Sequence, residues 1–324
     1  MINAAPVLEL RGLKTEFFTD EGAVPAVNDV SFSINAGEVL GLVGESGCGK
    51  SVTALSIMRL LSAAGRVTAG EILLGGVNIL RLPEREMEDI RGNRISMVFQ
   101  EPMTSLNPLM TIGNQVAEPL ILHKRMRKRE ALERAIEILR EVRISDPERR
   151  VHEYPHQLSG GMRQRVMIAM AIACHPSVVI ADEPTTALDV TIQAQILDLL
   201  QKLREEFNIA ILLITHALGV VAEIADRVAV MYAGRIVEDA PVNELFSHPC
   251  HPYAAGLLDS IPRITLDSRL QRLKTIDGTV PDLLRLPAGC AFMDRCKDRM
   301  EVCASSPPPA TMINAGHSVK CYKY

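Results

Sequence analysis

An eight-residue segment near the N-terminus constrains the fold of this chain more than any other feature. Residues 44–51, Gly-Glu-Ser-Gly-Cys-Gly-Lys-Ser, fit the pattern G-x-x-x-x-G-K-[ST]. An apolar run at residues 39–43 precedes the segment and apolar residues at helical spacing follow it over residues 51–64, which predicts a strand, a tight loop and a helix. The loop and the helix N-terminus offer backbone amides to a phosphate, Lys50 adds positive charge, and the Ser51 hydroxyl can ligate Mg²⁺. We therefore expect a phosphate-binding loop.

A pair of carboxylates follows a second apolar run. Asp182 and Glu183 come directly after residues 178–181. In proteins with a phosphate-binding loop, a carboxylate at this place holds Mg²⁺ through water, and a neighbouring one can orient or deprotonate the attacking water. A solvated strand end looks the same, but the upstream loop favours the functional interpretation.

Two glycines stand at the start of a predicted helix. Residues 158–165 read Leu-Ser-Gly-Gly-Met-Arg-Gln-Arg, in which Ser159 is the expected N-cap. Gly160 and Gly161 leave the first backbone amides exposed and add no stabilising side chain, which favours the close approach of an anion. A simple turn is the alternative.

The remaining pattern is typical of an α/β protein. Apolar residues make up 47% of the 324 residues, whereas aromatic residues make up 4% and Trp is missing, so Ala, Val, Ile, Leu and Met must build the interior. Beyond residue 245 the prolines accumulate, which predicts a separate, irregular extension. The predicted elements are antiparallel strands over residues 7–18 and 26–34, parallel strands over 178–181 and 209–214, and helices over 124–143 and 191–207.

Charge and hydropathy argue against several classes of protein. A formal net charge of −4 gives no reason to expect a nucleic-acid partner. The longest apolar run, residues 166–174, has nine residues, whereas a membrane-spanning helix needs roughly 20. The first six residues lack the charged and apolar regions of a secretion signal, so we expect the chain to stay in the cytosol.

Together, these motifs resemble those of the ABC ATPase family. The Leu-Ser-Gly-Gly string is the signature of that family, and three further elements occur in the family's order: Gln100 in Phe-Gln-Glu-Pro, Asp189 in Ala-Leu-Asp, and His216 in Thr-His. The resemblance covers residues 7–245. It implies an α/β P-loop NTPase fold with a RecA-like core, an antiparallel β subdomain, a helical subdomain and an irregular C-terminal extension.

The same resemblance divides the chain into four parts. Residues 1–100 are expected to form the first part of the ATPase core, with the antiparallel β subdomain and the phosphate loop. Residues 101–165 are expected to form the helical subdomain, which ends in the signature. Residues 166–245 would complete the core, and residues 246–324 would form the C-terminal extension.

In the ABC ATPase family two subunits face each other head to tail, and each ATP lies between one phosphate loop and the partner's signature. The resemblance therefore implies that this chain carries two half-sites. The implied catalytic residues are Lys50, Gln100, Glu183 as the general base, and His216 at the γ-phosphate. The implied nucleotide-binding residues are Gly44, Glu45, Ser46, Gly47, Cys48, Gly49, Lys50, Ser51, Phe17, Ser159, Gly160, Gly161 and Asp189. The implied Mg²⁺ ligands are Ser51, Gln100 and Asp182.

Three positions need separate comment. Phe17 best matches the aromatic residue that stacks on adenine in the family, and Phe18 is the alternative. Ala217 departs from the family pattern, because relatives commonly carry Asp after the histidine. Gln100 would also sense the γ-phosphate and report to the transmembrane partner. Since the main catalytic residues are present, we expect an active half-site.

Longer segments narrow the resemblance to the peptide and nickel import branch. Residues 101–108, 182–190 and 248–253 and the tail from Gly289 look like those of dipeptide and oligopeptide transporter ATPases. Such subunits usually pair with a related second ATPase, two transmembrane permease subunits and an extracytoplasmic solute-binding protein, at the cytoplasmic face of the bacterial inner membrane. Nickel or another small solute is the alternative cargo. A non-transport ABC ATPase would carry two cassettes or a long coiled-coil insertion, which this sequence lacks.

Four of the seven cysteines, Cys290, Cys296, Cys303 and Cys321, lie within the last 35 residues. A reducing compartment argues against disulfides, which leaves independent thiols, a structural Zn²⁺ or an iron–sulfur cluster. So small a Pro-rich segment needs a metal to fold, and the short C-x₂₋₄-C knuckle of zinc sites is missing. Peptide-transporter ATPases carry a similar cysteine set, which favours a [4Fe–4S] cluster that orders the tail.

Overall fold

The computed structural model describes residues 5–186, 188–261 and 275–324. Ala187, which belongs to the predicted Ala-Leu-Asp element, lies outside the described residues. The chain divides into two compact units. The first unit consists of Met1–Leu8, Ile34–Glu38 and Leu74–Leu213, and the second consists of Glu9–Ser33, Val39–Leu73 and Ile214–Tyr324.

The described residues form strands and helices in the following order. The strands are β1 (Leu8–Thr19), β2 (Gly22–Ile34), β3 (Val39–Val43), β4 (Gly65–Leu74), β5 (Val77–Asn78), β6 (Ile95–Val98), β7 (Val178–Asp182), β8 (Ala210–Thr215), β9 (Arg227–Tyr232), β10 (Arg235–Pro241), β11 (Thr311–Asn314) and β12 (His317–Val319). The helices are α1 (Lys50–Met58), α2 (Glu84–Ile90), α3 (Pro102–Ser105), α4 (Ile112–Lys124), α5 (Lys128–Glu141), α6 (Pro147–Arg150), α7 (Gly160–Ile172), α8 (Val190–Phe207), α9 (Leu218–Ile224), α10 (Val242–Ser247) and α11 (Pro252–Asp259).

Two runs of neighbouring strands organise the second unit. The first run has the order β2-β1-β4, and only two residues connect β1 to β2, so these strands form the predicted antiparallel pair. The second run has the order β11-β12-β10-β9-β3, in which β3 is parallel to β9 and β9 is antiparallel to β10. The phosphate loop follows β3 and therefore lies at the carboxyl ends of the parallel pair, where ligands bind in α/β sheets.

The first unit contains strands β7 and β8, which the sequence predicts to be parallel, and the acidic pair Asp182 and Glu183 lies at the end of β7. Its strand order is β8-β7-β6, and β6 runs parallel to β7. Every residue of β7 is buried, as expected for a strand that is covered on both faces. Helix α8 buries a stripe of apolar residues at helical spacing, which confirms the helix predicted over residues 191–207. That stripe consists of Ile196, Leu197, Leu199, Leu200 and Leu203.

Two predicted helices are shorter than their apolar patterns suggest. The helix expected over residues 51–64 ends at Met58, because Arg59 adopts the left-handed conformation (φ 53°) and its N–H bonds the carbonyls of the last turn. The helix expected over residues 124–143 begins at Lys128, since α4 ends before Arg125, which is also left-handed (φ 57°). Neither stop is a glycine or proline, so the sequence carries no local signal for either end.

The C-terminal extension is less separate than the sequence suggests. Strand β12 pairs antiparallel with β10, so that Val319 lies opposite Glu238 and Ser318 opposite Asp239, and β11 pairs with β12. The paired strands β10 and β12 lie about 80 residues apart in the chain, and no sequence pattern reports such a pairing. In the part of the chain that the structure describes, no helix is both long and apolar enough to cross a bilayer.

Candidate nucleotide-binding site

The phosphate loop has a backbone that only glycine permits at two of its positions. Gly44 (φ 154°) and Gly49 (φ 107°) adopt left-handed conformations. A Cβ atom on Gly44 would lie 2.2 Å from the carbonyl oxygen of Met231, and one on Gly49 would lie 2.4 Å from that of Ala26. The glycines therefore let the loop turn tightly against neighbouring strands.

Helix α1 begins directly after this loop without a side-chain cap. Gly49 is the N-cap residue, and no side chain accepts a hydrogen bond from the first turn. The first amides of a helix have no intrahelical acceptor, and the positive end of the helix dipole lies there. An anion is the natural acceptor for these groups, as the sequence predicts. Ser51 lies exposed in this first turn, and Ser46 and Gly47 are exposed at the tip of the loop.

The Lys50 ammonium group lies over the loop. It is 5% exposed and donates to the carbonyl oxygens of Gly44 at 2.7 Å and Glu45 at 3.0 Å. Cys48 is fully buried beside it, and this burial raises the pKa of its thiol, which Lys50 only partly offsets. Cys48 is therefore a neutral packing residue, and Lys50 is the cation of the loop.

Gln100 and Glu183, predicted from different motifs, are in direct contact within the first unit. The Gln100 amide nitrogen donates to Glu183 Oε2 at 3.0 Å, and the Thr186 hydroxyl donates to the same oxygen at 2.8 Å. Glu183 follows β7 with a left-handed backbone (φ 47°), which is costly for a residue other than glycine. Asp182, the last residue of β7, is 5% exposed. The strand end thus presents one buried and one oriented carboxylate.

His216 follows β8 and is exposed. Ala217 occupies the N-cap position of α9, where it offers no side-chain hydrogen bond. The Thr215 hydroxyl accepts the Ala217 N–H at 3.0 Å and so supplies a local bond at this turn. Because Ala217 stands where relatives commonly carry Asp, helix α9 lacks a side-chain cap.

The signature segment lies at the start of α7. Ser159 is the N-cap, as predicted, and its hydroxyl accepts the Met162 N–H at 3.4 Å. Ser159 and Gly160 are exposed, but a Cβ atom on Gly161 would lie 2.7 Å from a methyl group of Ile192. Gly161 therefore also has a packing reason to be small, which the sequence did not reveal. Asp189 caps α8 by accepting the Ile192 N–H at 2.9 Å.

The two candidate adenine-stacking residues lie at the end of β1. The Phe17 ring is half-buried, and a Cβ atom on Gly65 would come within 2.9 Å of it. The Phe18 ring is 50% exposed, and the guanidinium of Arg66 lies 5.8 Å from its centroid. The assignment of Phe17 stays a prediction.

The four clustered cysteines line one pocket in the second unit. The wall of this pocket includes Cys290, Cys296, Cys303 and Cys321. Burial raises the pKa of Cys290 to about 11, and it also raises the pKa of Cys296 and Cys321. The sequence alone did not show that these residues converge.

Sequence reasoning missed two residues that contact the phosphate loop. Arg295 forms an ion pair with Glu45, and the Tyr253 hydroxyl accepts the Glu45 N–H at 2.9 Å. Both come from the C-terminal extension. Their only signal in the sequence is the presence of an arginine beside Cys296 and of a tyrosine in the His-Pro-Cys-His-Pro-Tyr segment.

Comparisons with known proteins identify the family of the chain. A family model described as "ABC transporter" matches residues 27–186, and one described as "Oligopeptide/dipeptide transporter, C-terminal region" matches residues 237–303. The chain is 52% identical to the oligopeptide transport ATP-binding protein AppD of Bacillus subtilis, covering 98% of this chain and 97% of AppD. It is 52% identical to the oligopeptide transport ATP-binding protein OppD of Escherichia coli, covering 99% of this chain and 94% of OppD.

Solved structures show the same fold. The dimeric post-hydrolysis state of the ATP-binding cassette MJ0796, bound to ADP and Pi, matches with a TM-score of 0.66 and 32% identity, covering 72% of this chain and 98% of that one. The cbiO1 protein of Clostridium perfringens matches with a TM-score of 0.64 and 26% identity, covering 76% and 92%. The fold is thus that of an ABC-type P-loop ATPase with an antiparallel β subdomain. The chain belongs to the family of ABC transporter ATP-binding proteins that serve peptide and oligopeptide import.

Proposed function

We propose that this chain binds and hydrolyses MgATP at the cytoplasmic face of a bacterial inner membrane to power the import of dipeptides or oligopeptides. One observation carries the hydrolytic part, namely the carboxylate of Glu183 held by Gln100 and Thr186 at the end of β7. A carboxylate with a fixed orientation can position a water molecule and accept its proton. The match to the oligopeptide/dipeptide transporter C-terminal region supports the cargo.

The other residues take complementary roles in this proposal. Lys50 and the loop amides bind the phosphates, and Ser51, Asp182 and Gln100 hold Mg²⁺ directly or through water. His216 contacts the γ-phosphate. Glu183 accepts the proton of the attacking water, while Mg²⁺ when bound neutralises the charge that develops on the phosphate oxygens.

We further propose that two ATPase subunits pair head to tail. Ser159, Gly160 and Gly161 would then contact the nucleotide on the partner's phosphate loop, since Ser159 and Gly160 are exposed and the N-terminus of a helix suits an anion. The remaining partners are a related second ATPase subunit, two permease subunits and a solute-binding protein.

The cargo is tested by identifying what the transporter's own binding protein carries. The solute-binding protein encoded beside this chain should be purified and its bound ligand determined by mass spectrometry and metal analysis. We expect a dipeptide or oligopeptide, and that peptide should stimulate ATP hydrolysis by the reconstituted transporter. A binding protein that carries nickel and no peptide, with hydrolysis stimulated by nickel alone, would replace the peptide assignment.

We also propose that Cys290, Cys296, Cys303 and Cys321 hold a [4Fe–4S] cluster. Their shared pocket supports this, because the partly buried thiols of Cys290, Cys296 and Cys321, whose pKa values burial raises, become thiolates when a metal supplies compensating positive charge. A single zinc, with Zn–S bonds of about 2.3 Å, would need sulfurs about 3.8 Å apart. Among the described residues, the one set of three potential ligand atoms within 4.8 Å of one another lies elsewhere, at Glu238, Cys250 and His317.

Anaerobic purification tests this proposal. The protein should be brown, contain iron and sulfide, and absorb near ~400 nm as iron–sulfur proteins do. Cys296→Ser should remove this absorption, whereas Cys174→Ser, at a buried cysteine far from the set in sequence, should keep it. A colourless protein with one zinc per chain would overturn the cluster assignment.

A further inference from the structure

We propose that Arg295 is a positioning residue for the phosphate loop, through which the C-terminal extension controls the affinity of the chain for ATP. Its guanidinium donates two hydrogen bonds to the Glu45 carboxylate, with Nη1 2.7 Å from Oε2 and Nη2 3.0 Å from Oε1. A bidentate hydrogen-bonded pair of arginine and carboxylate is among the strongest side-chain interactions in proteins. The Arg295 side chain is 6% exposed and that of Glu45 is 28% exposed, so water screens this pair less than it screens a fully exposed one.

The extension holds Arg295 in one place. Its Nε donates to the carbonyl oxygen of Asp277 at 3.0 Å and Nη2 donates to that of Ile276 at 3.4 Å. The guanidinium also lies 5.8 Å from the centroid of the Tyr232 ring and 5.9 Å from that of Phe292. A side chain with this many partners cannot follow Glu45 if the loop moves. The extension therefore sets the position of Glu45.

Glu45 is the second residue of the phosphate loop and is bound at three points. Arg295 binds its carboxylate, the Tyr253 hydroxyl accepts its N–H at 2.9 Å, and Lys50 Nζ donates to its carbonyl oxygen at 3.0 Å. The loop binds phosphate through backbone amides, so the direction of its peptide planes decides its affinity. A loop that is already ordered loses less conformational entropy when ATP binds.

The connection reaches the cysteine pocket because Arg295 directly precedes Cys296. The backbone between them is a series of turns, in which the Phe292 carbonyl accepts the Arg295 N–H at 3.0 Å and the Met293 carbonyl accepts the Cys296 N–H at 3.4 Å. Any contact or metal that fixes the position of Cys296 therefore also restrains the position of Arg295. The inference depends on these contacts and not on which metal the cysteines bind, so it goes beyond the proposed function.

The test measures the dissociation constant of ATP for the full-length chain by isothermal titration. Arg295→Met removes the charge but keeps much of the packing, and we expect ATP to bind about tenfold more weakly. Arg295→Lys should recover part of this loss. Lys297→Met is the matched control, since Lys297 lies two residues away in an exposed ion pair with Asp277 and should leave the affinity unchanged.

A second variant changes the other residue of the ion pair, Glu45 in the phosphate loop. Glu45→Gln removes the charge without touching the extension, and it should weaken ATP binding about as much as Arg295→Met, while the double variant should be no worse than either. Native ATP affinity of Arg295→Met in folded protein would overturn the proposal, even if the melting temperature fell, because the arginine would then only stabilise the extension. If Arg295→Met does not fold, unchanged affinity of Glu45→Gln overturns it instead.

Discussion

At the scale of single residues, hydrogen bonds hold the Glu183 carboxylate in one orientation. Both the Gln100 amide and the Thr186 hydroxyl donate to its Oε2 atom, and its backbone is left-handed (φ 47°). Strained backbone at a functional position persists only when surrounding contacts enforce it. The contact also gives Gln100 a physical role, because its amide helps to fix the orientation of the proposed base.

Glu183→Gln should abolish most of the ATPase activity while ATP binding survives. The neutral amide cannot accept the proton of the attacking water, but the phosphate and Mg²⁺ contacts remain. General-base removal costs about a hundredfold or more in turnover. Steady-state hydrolysis and ATP affinity should be measured side by side, with Glu205→Gln on the exposed face of α8 as the control. Turnover at the parent rate would exclude Glu183 as the base.

At the scale of elements, one buried carboxylate on β10 joins two parts of the C-terminal extension, the segment before α11 and strand β12. Glu238 on β10 accepts the backbone N–H groups of Cys250 at 2.8 Å and His251 at 2.7 Å, and its Oε1 lies 2.8 Å from Nε2 of His317 on β12. His251 in turn caps α11, since its Nδ1 accepts the Tyr253 N–H at 3.1 Å. These contacts place Tyr253 beneath the phosphate loop.

His251 makes this arrangement sensitive to acid. Its side chain is 1% exposed, and burial lowers its pKa to about 4, below the usual value of 6.5. The unfolded chain therefore takes up a proton at a higher pH than the folded chain does. The stability that neutral His251 contributes is present above about pH 6.5 and is lost as the pH falls toward 4.

We therefore expect the free energy of unfolding to fall by about 2 kcal/mol between pH 7 and pH 5 through His251 alone. Urea unfolding at both pH values would measure this. His251→Asn keeps a capping acceptor but does not titrate, so its stability should change less over this range, whereas His248→Asn, at an exposed histidine three residues earlier, should behave like the parent. Equal acid sensitivity of the parent and His251→Asn would contradict the prediction.

At the scale of the whole molecule, the chain carries both a phosphate loop and a signature helix start. The phosphate loop leads into α1, whose start has no side-chain cap, and the signature segment exposes Ser159 and Gly160 at the start of α7. In the proposed head-to-tail pairing, the phosphate loop and the signature segment of one chain contact different ATP molecules. A change at the signature should therefore act on the partner's nucleotide and leave this chain's own loop competent.

Ser159→Arg tests this pairing in mixed complexes in which only one subunit is altered. The arginine would occupy the approach to the γ-phosphate, so hydrolysis at the partner's phosphate loop should drop by about tenfold or more. Site-specific turnover can be followed by combining it with Glu183→Gln or its equivalent in one subunit at a time. Inhibition restricted to this chain's own phosphate loop would reject head-to-tail pairing.

Much of the fold and several structural features of the candidate site were predictable from local sequence. The glycines of residues 44–51, the cap at Ser159 and the apolar runs of β7 and β8 express constraints between near neighbours in the chain, and such constraints leave periodic or spaced patterns. The ends of α1 and α5 were misjudged, because Arg59 and Arg125 take a left-handed conformation that their residue type does not announce.

Contacts between distant residues left no such pattern. Glu45 and Arg295 are 250 positions apart, and Glu238 and His317 are 79 apart. A charged residue on the surface and one in a buried ion pair look alike in a sequence, since burial depends on how strands pair and not on neighbouring residues. The sequence thus specified a phosphate loop and a cysteine-rich tail, whereas folding brought the tail onto the loop, where the Glu45 carboxylate compensates the charge of the buried Arg295 side chain.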